Sequence, residues 1–417
     1  MSKILISSIG AGDKRSGNYR LSNYSMDGKI YKDKKFIADV LCEHIKIDKL
    51  FLIGTKKSIW DAVYKEFGGS DEDEFKIYEA KENNEVINYI PVVTEQIDKK
   101  LGVSGSKCFI IEYGIDEEQL WSNFNQFLKI FDEITKDDEV YLDITHSFRS
   151  LSLMSFVMSE FYANTRDYNL NIGGVYYGMI DIMSENDNIA PIVDLKMFFE
   201  LLEWSKAIKN LKKFGNGYDL MLLVNKSQQP ERIINSYTDF SYALNMSDVS
   251  AIQKSIKSLN SQIFDLNYAN NTILKIVSKD IKEFIDIFKK EKISDLQLEL
   301  AEWYSSNKNY AMSYLTLAEA ALSIICEQNH KDPLNRDNRE DAKNTLVKYA
   351  KQRYGDGRKK LAEKYLKINS IRVNIAHKLD QENQRSKSNP RDSINNLPGY
   401  IQSIQNMKQY HFEIDRS

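Results

Sequence analysis

EVYLDITHSFRS, residues 139–150, passes from an apolar, β-branched run into a polar loop and then into the amphipathic segment FRSLSLMSFVMSEFY at 148–162. A run of period two, a short polar loop and a 3.6-residue periodicity in that order make half of a β-α-β unit. The same alternation recurs on both sides. KILISSI (3–9), KLFLIG (49–54), KCFIIEY (107–113) and NIGGVYYGMI (171–180) read as strands. KKFIADVLCEHI (34–45), SIWDAVYKEF (58–67), the segment 82–100 and EEQLWSNFNQFLKIFDEI (117–134) read as helices. Strands alternating with helices predict an α/β N-terminal, Rossmann-like domain with a mostly parallel, doubly wound sheet. In that architecture ligands gather at the C-terminal strand ends, at the point where the strand order switches direction. The loops after Ile9, Ile53, Tyr113, Ile144 and Tyr177 are therefore the ones to inspect.

Beyond Asp194 the chain changes character. Thirteen of 18 glycines lie at or before Gly178, and residues 218–354 contain none. DLKMFFELLEWSKAIKNLKKF (194–214) and NYAMSYLTLAEAALSIICEQ (309–328) carry apolar residues at helical spacing, and only six prolines interrupt 417 residues. An all-α C-terminal half follows from this. GGSDEDE (68–74) and the stretch 381–398 read as mobile surface. With 57 Lys+Arg against 60 Asp+Glu and 42% apolar residues, the chain is neither a polybasic nucleic-acid coat nor a disordered acidic tail. Three scattered cysteines, Cys42, Cys108 and Cys326, have no disulfide or zinc-ribbon spacing, which suits a reducing cytoplasm. No signal peptide or membrane-spanning run is read.

Four strings carry chemistry. Asp143-Ile-Thr-His-Ser-Phe-Arg149 sits where a strand end meets a helix start, so free N–H groups, the helix dipole and the Arg149 guanidinium suit a phosphate-bearing ligand. The alternative reading is that Thr145 or Ser147 only caps the helix and Arg149 pairs with a surface carboxylate. Gly10-Ala11-Gly12 follows the first strand but lacks the third glycine of a dinucleotide fingerprint, so it reads as a loop whose backbone closes over a ligand. In IRVNIAHKL, Arg372 and His377 are five residues apart, a rotation of about 140° and a rise of roughly 7.5 Å on an ideal helix. One straight helix does not bring them to one atom; two facing copies would. With a single imidazole and no cysteine nearby, zinc is discarded and no metal is expected. Residues 343–367 hold nine Lys/Arg against Asp356 and Glu363, with Tyr349, Tyr354 and Tyr365 interleaved. That stretch is either a polyanion track or a solvated helical face.

The first and third strings, in this order, carry a resemblance. Asp143 to Arg149, behind an N-terminal strand and followed by VYYG at 175–178, resembles the DxTHG motif of CRISPR-associated proteins with a CARF domain; Arg372-x-x-x-x-His377 resembles the active-site motif of HEPN ribonucleases. Together they resemble the CARF-HEPN ribonucleases of type III CRISPR defence. Ser147 stands where that family usually has glycine, and Val373 where a polar residue often follows the arginine, with Asn374 one place on. The resemblance implies a CARF-like sensor over 1–194, a helical linker over 195–302 and a HEPN-like ribonuclease over 303–417. It implies a homodimer whose paired sensors bind a cyclic oligoadenylate, tetra-adenylate foremost, as allosteric activator. Gly10, Ala11, Thr55, Thr145, His146, Ser147 and Arg149 are the ligand contacts so implied. Arg372, His377 and Asn374 are the implied catalytic residues for metal-independent cleavage of single-stranded RNA, and Arg353, Arg358, Lys359 and Lys360 the RNA-binding ones. A second reading is a cyclic oligoadenylate sensor or ring nuclease whose helical half only dimerises.

Overall fold

The structure is a computed structural model and describes residues 2–12, 14–15, 18–19, 21–146, 149–165, 170–226, 231–267, 272–376 and 389–414. The chain divides into two units, 1–200 and 201–417. In the first, the elements run β1 (Lys3–Ile9), β2 (Lys14–Arg15), β3 (Asn18–Tyr19), β4 (Ser22–Met26), β5 (Lys29–Lys34), α1 (Ile37–Ile45), β6 (Lys49–Gly54), α2 (Trp60–Glu66), α3 (Asp71–Glu82) and α4 (Ile90–Leu101). They continue with β7 (Lys107–Ile110), α5 (Glu117–Asp132), β8 (Glu139–Asp143), α6 (Arg149–Thr165), β9 (Asn171–Gly178) and β10 (Ile189–Asp194). Eight strands form one sheet in the order β5-β4-β10-β9-β8-β1-β6-β7, and β9 through β7 in that list are parallel.

The near-continuous apolar strands are explained by their two covered faces. Leu5, Leu50 and Leu52 point into a core shared with Ile37, Leu41, Trp60 and Val63 of α1 and α2. Their strand neighbours Ile4, Ile6, Phe51 and Ile53 join Phe127, Phe131, Met158 and Tyr162 of α5 and α6 on the other face. Each alternate residue is thus buried, which is what a doubly wound sheet demands. From β1 the chain moves outward through β6 to β7, then crosses back to β8 on the opposite side of β1. The switch point therefore lies between the C-terminal ends of β1 and β8.

The five expected strands all form, with shorter ends for the last three: Lys107–Ile110, Glu139–Asp143 and Asn171–Gly178. The sequence reading missed β4, β5 and β10, which extend the sheet with antiparallel pairs β4·β5 and β9·β10. The β4–β5 turn is Asp27-Gly28 with φ of 48° and 78°, the two-residue hairpin geometry that an Asp-Gly pair favours. Two expected mobile stretches are corrected. Ser70 accepts from Asp73 N–H at 3.2 Å and caps α3, whose first turn holds Asp71, Glu72, Asp73 and Glu74 against the positive end of the helix dipole. In the stretch 381–398, residues 381–388 lie outside the described residues, and Pro390 onward is helical: Asn389 caps α16 (Pro390–Asn406), which buries Leu397, Tyr400, Ile401 and Ile404. An apolar stripe of that width wins over local polarity.

The second half is helical as expected: α7 (Met197–Phe214), α8 (Tyr218–Lys226), α9 (Glu231–Met246), α10 (Val249–Asn267), α11 (Thr272–Ile287), α12 (Ile293–Ser306), α13 (Tyr310–Gln328), α14 (Arg336–Ala350), α15 (Gly357–Ala376) and then α16. Two cores fill it. One gathers Trp204, Phe240, Phe284, Phe288 and Trp303, the other Leu317, Ile325, Leu346, Tyr365 and Ile404. Helix α12 serves both, with Leu296 and Leu300 in the first and Leu298 and Ala301 in the second. No helix among the described residues is long and apolar enough to cross a membrane.

Candidate functional site

At the switch point, the strand end of β8 is fixed from below. Ser7 Oγ of β1 donates to Asp143 Oδ2 at 2.5 Å, and Thr145 N–H donates to Asp143 Oδ1 at 2.9 Å. Asp143 is 3% exposed. The Thr145 hydroxyl accepts from Gly178 N–H of β9 at 2.8 Å, and Ile144 N–H donates to Tyr176 O at 3.0 Å. The loop after β8 is thus tied to both flanking strands, and the Thr145 hydroxyl is engaged within the protein. A free backbone could not hold this geometry at a strand end.

The loop after β1 is tied in turn to the loop after β6. Ser58 Oγ donates to Ile9 O at 2.9 Å, and Ile59 N–H donates to Gly10 O at 3.1 Å. Thr55 is buried, with its N–H donated to Ser58 Oγ at 2.9 Å and its carbonyl accepting from Trp60 Nε1. Gly12 has φ of 73°, and a Cβ there would come within 2.6 Å of Ile59 and 2.8 Å of the Tyr19 ring, so glycine is required by both strain and space. Gly10 passes close to the His146 carbonyl. Ala11 is exposed. Between these loops lies a cavity of about 190 Å³ lined by Gly10, Gly12, Tyr19, Tyr24, Ile59 and His146, among others.

Of the expected ligand contacts, Gly10 and His146 line this cavity, Ala11 and Thr145 flank it in sequence, and Thr55 is committed to the loop beneath. Ser147 lies outside the described residues, as does the side chain of Arg149, whose backbone opens α6. Tyr24 was missed with its strand; its hydroxyl stands 3.4 Å from His146 Nε2. Tyr19 was missed too. Its hydroxyl donates to Asp61, and Asp61 and Lys81 form a buried ion pair at 3.0 Å, with Lys81 Nζ also 2.8 Å from the Tyr19 oxygen. A fully buried pair is tolerated because each partner finds further hydrogen bonds, and it pins Tyr19 against the cavity.

Burial pushes the Asp143 carboxyl up and the His146 imidazole down, while their mutual attraction works against both shifts. His146 is therefore neutral near pH 7. Because its folded pKa is lowered, the fold binds fewer protons than the unfolded chain below about pH 6.5, and its contribution to stability is lost as pH falls through that window. Asp143, its carboxyl pushed up by burial, acts with the opposite sign. The difference between the pH-dependent melting curves of the wild type and His146→Asn carries the histidine together with the change it imposes on Asp143, and it should vary with pH below about 6.5 and flatten above it. A flat difference from pH 5 to 8 would rule it out.

In the second unit, Arg372 lies near the end of α15 and lines a pocket of about 440 Å³ between α13, α14 and α15. Arg372 Nη2 is 3.2 Å from Glu319 Oε1, and the other Glu319 oxygen pairs with Arg339. Arg339 Nη1 also donates to Ser323 Oγ at 3.1 Å and to Pro333 O at 2.9 Å. Tyr365 forms part of the wall, and burial pushes its hydroxyl up to about 12. Asn374 is half-buried, two residues beyond Arg372. His377 lies outside the described residues, immediately after the last described residue of α15.

Arg353, Arg358, Lys359 and Lys360 are not brought to this pocket. They lie at the opposite end of α15 and in the turn before it; 14 residues of helix separate Arg358 from Arg372, roughly 21 Å. Arg358 pairs with Asp356 at 2.9 Å and covers the Tyr349 ring, Arg353 covers Tyr354, and Lys359 lies 3.9 Å from Glu363. The cations near Arg372 are instead Arg336, Arg339 and Lys343 of α14, which the sequence reading did not single out beyond counting Lys343 in a basic stretch. Their spacing of three, four and seven residues was the available signal for one shared helix face. Among the described residues no group of three or more His, Cys, Asp or Glu is placed to hold a metal.

Residues 4–181 match the family model described as the CARF domain of the CRISPR system endoribonuclease Csx1. Over these residues the chain is similar to a CARF domain. The switch-point cavity lies within this matched segment. Residues 200–298 match the second domain of CRISPR-associated protein MJ1674. The chain is 32% identical to CRISPR-associated protein MJ1674 of Methanocaldococcus jannaschii over 97% of its own length and 66% of that protein's. The solved structure of Enterococcus italicus Csm6 bound to cyclic hexa-2'-fluoro-hexa-dAMP aligns with 98% of this chain and 94% of that one, at 14% identity and a TM-score of 0.42.

Proposed function

We propose that the protein is a cyclic oligoadenylate-activated endoribonuclease that cleaves single-stranded RNA without a metal, in type III CRISPR defence. The CARF domain takes the ring in the cavity between the loops after β1 and β8, with the backbone of Gly10 and Ala11 and the neutral His146 in contact, and Ser147 and Arg149 completing the anion site at the start of α6. Residues 195–302 form a helical connector and 303–417 a HEPN-like ribonuclease domain. The observation that carries the nuclease reading is the position of Arg372 in a basic pocket, five residues before His377, in a chain whose residues 4–181 match a CARF domain.

Two copies of the chain supply the composite site, each contributing Arg372 and His377. The RNA 2'-hydroxyl attacks the adjacent phosphorus, His377 moves the proton, and Arg372 stabilises the anionic transition state with its fork of donors. The 5'-oxygen leaves and a 2',3'-cyclic phosphate remains. Asn374 is the polar residue that Val373 does not provide, while Arg372 itself is held by Glu319 and Asn369. Arg353 and Lys360 at the far end of α15 attract RNA at long range. The test is cleavage of a fluorogenic single-stranded RNA by the purified chain in EDTA, with cyclic tri-, tetra- and hexa-adenylate added separately. Activity that appears with one ring, tetra-adenylate foremost, and persists in EDTA is expected. Folded protein that stays silent with every ring while opening the ring itself would replace this reading with that of a ring nuclease.

A further inference from the structure

The α13–α14–α15 pocket holds more positive charge than the proposed reaction at Arg372 requires. Glu319 is shared by two guanidiniums, those of Arg339 and Arg372, so it neutralises about one of them. Arg339 is further committed to Ser323 and to two backbone carbonyls. Arg336, exposed in the first turn of α14, has no carboxylate partner among the described residues. Lys343 meets only Glu340, at 3.3 Å and with both side chains about half exposed, an ion pair of little strength in water. Seven residues apart on one helix, Arg336 and Lys343 present their heads on the same face as Arg339, about 10 Å apart along the axis.

The same pocket also carries apolar side chains. Leu334 is 59% exposed and Val373 45% exposed. A pocket of about 440 Å³ with two under-used cations and exposed apolar side chains beside them has the chemistry of a nucleotide: phosphate against the cations, base face against the apolar groups. An acidic peptide would meet the cations but leave the apolar groups bare.

We infer that this pocket is an RNA subsite beside the cleavage site, in which Arg336 and Lys343 hold phosphates of the strand and Leu334 and Val373 lie against a base. This rests on the nuclease reading above and extends it to residues that the Arg372-His377 string does not contain. Arg339 and Glu319 act as positioning residues, holding the wall to which the strand binds.

The test uses full-length protein with His377→Ala to prevent turnover, cyclic tetra-adenylate present, and a short fluorescein-labelled single-stranded RNA followed by anisotropy across a salt series. Arg336→Ala with Lys343→Ala should weaken RNA binding by about 10- to 100-fold. The slope of log Kd against log salt should shrink by about 0.7 for each phosphate contact removed. The conservative pair Arg336→Lys with Lys343→Arg should restore most of the affinity, which separates charge from fold. Both sites are surface-exposed, and an unchanged melting curve checks that the helices remain packed. If the protein with His377 intact cuts RNA but the double alanine variant binds with unchanged affinity and slope, the subsite is wrong and the nuclease reading stands. If the parent neither cuts nor binds RNA with any ring, both fall.

Discussion

Replacing Arg372 by alanine should reduce ring-activated RNA cleavage about a thousandfold while leaving cyclic oligoadenylate binding unchanged. The magnitude follows from what a single donor to a developing oxyanion contributes in a preorganised site, about 10²- to 10³-fold, with the lost guanidinium charge adding to it. Arg372 is held on one side by Glu319 at 3.2 Å and on the other by Asn369 Oδ1 at 3.4 Å, so its head is already oriented before RNA arrives. Arg372→Lys should not rescue, because an ammonium keeps the charge but loses the planar fork. His377→Ala should be comparably silent, since general acid–base transfer is worth about 10²- to 10⁴-fold. Initial rates on a fluorogenic RNA at saturating ring measure both. Retention of more than a tenth of the wild-type rate by Arg372→Ala would remove it from the reaction.

Asp143→Ala should impair the CARF domain in two measurable ways. Asp143 accepts from the Ser7 hydroxyl and the Thr145 N–H inside a region of which it is itself only 3% exposed. Truncation leaves both donors without a partner, at about 1–3 kcal/mol each, offset in part because a buried carboxylate no longer has to be desolvated. A net loss of about 2 kcal/mol, read as a lower midpoint for the CARF unit in thermal melting, is expected. The loop carrying Thr145 and His146 then loses its anchor to β1, and ring affinity should fall about tenfold or more, the worth of one misplaced hydrogen-bonded contact. Ser7→Ala removes one of the two donors and should show a smaller shift in the same direction. Wild-type ring affinity in Asp143→Ala would mean that the loop is held by Gly178 and Tyr176 of β9 alone.

The positions of these two sites were unequally visible before the structure. Five strands and their helices were legible because a doubly wound sheet buries both faces, so its strands are apolar throughout and stand out against amphipathic helices. The strands β4, β5 and β10 were not, because at the sheet margin only alternate residues are buried: Ser22-Asn-Tyr-Ser-Met26 shows Ser22, Tyr24 and Met26 inside and Asn23 and Ser25 half-covered. Tyr24, the residue beside His146, was lost with them. The acidic start of α3 read as loop because its charges were counted without the helix dipole they face.

Sequence by itself determined the class of fold, the change to helices after Asp194, and the two strings around Asp143 and Arg372. Each is a local pattern of hydrophobicity or of adjacent functional groups, and local patterns are what a linear chain displays. Only the tertiary structure decided which loops meet at the switch point, that the Thr145 hydroxyl and Thr55 face inward, and that the cations beside Arg372 come from α14 rather than from the basic turn before α15. Those facts depend on groups far apart in the chain: Glu319 meets Arg372 across 53 residues, and Ser7 meets Asp143 across 136. Such pairings are set by helix packing and by strand order, in which β8 returns to the opposite side of β1, and no short-range periodicity encodes them.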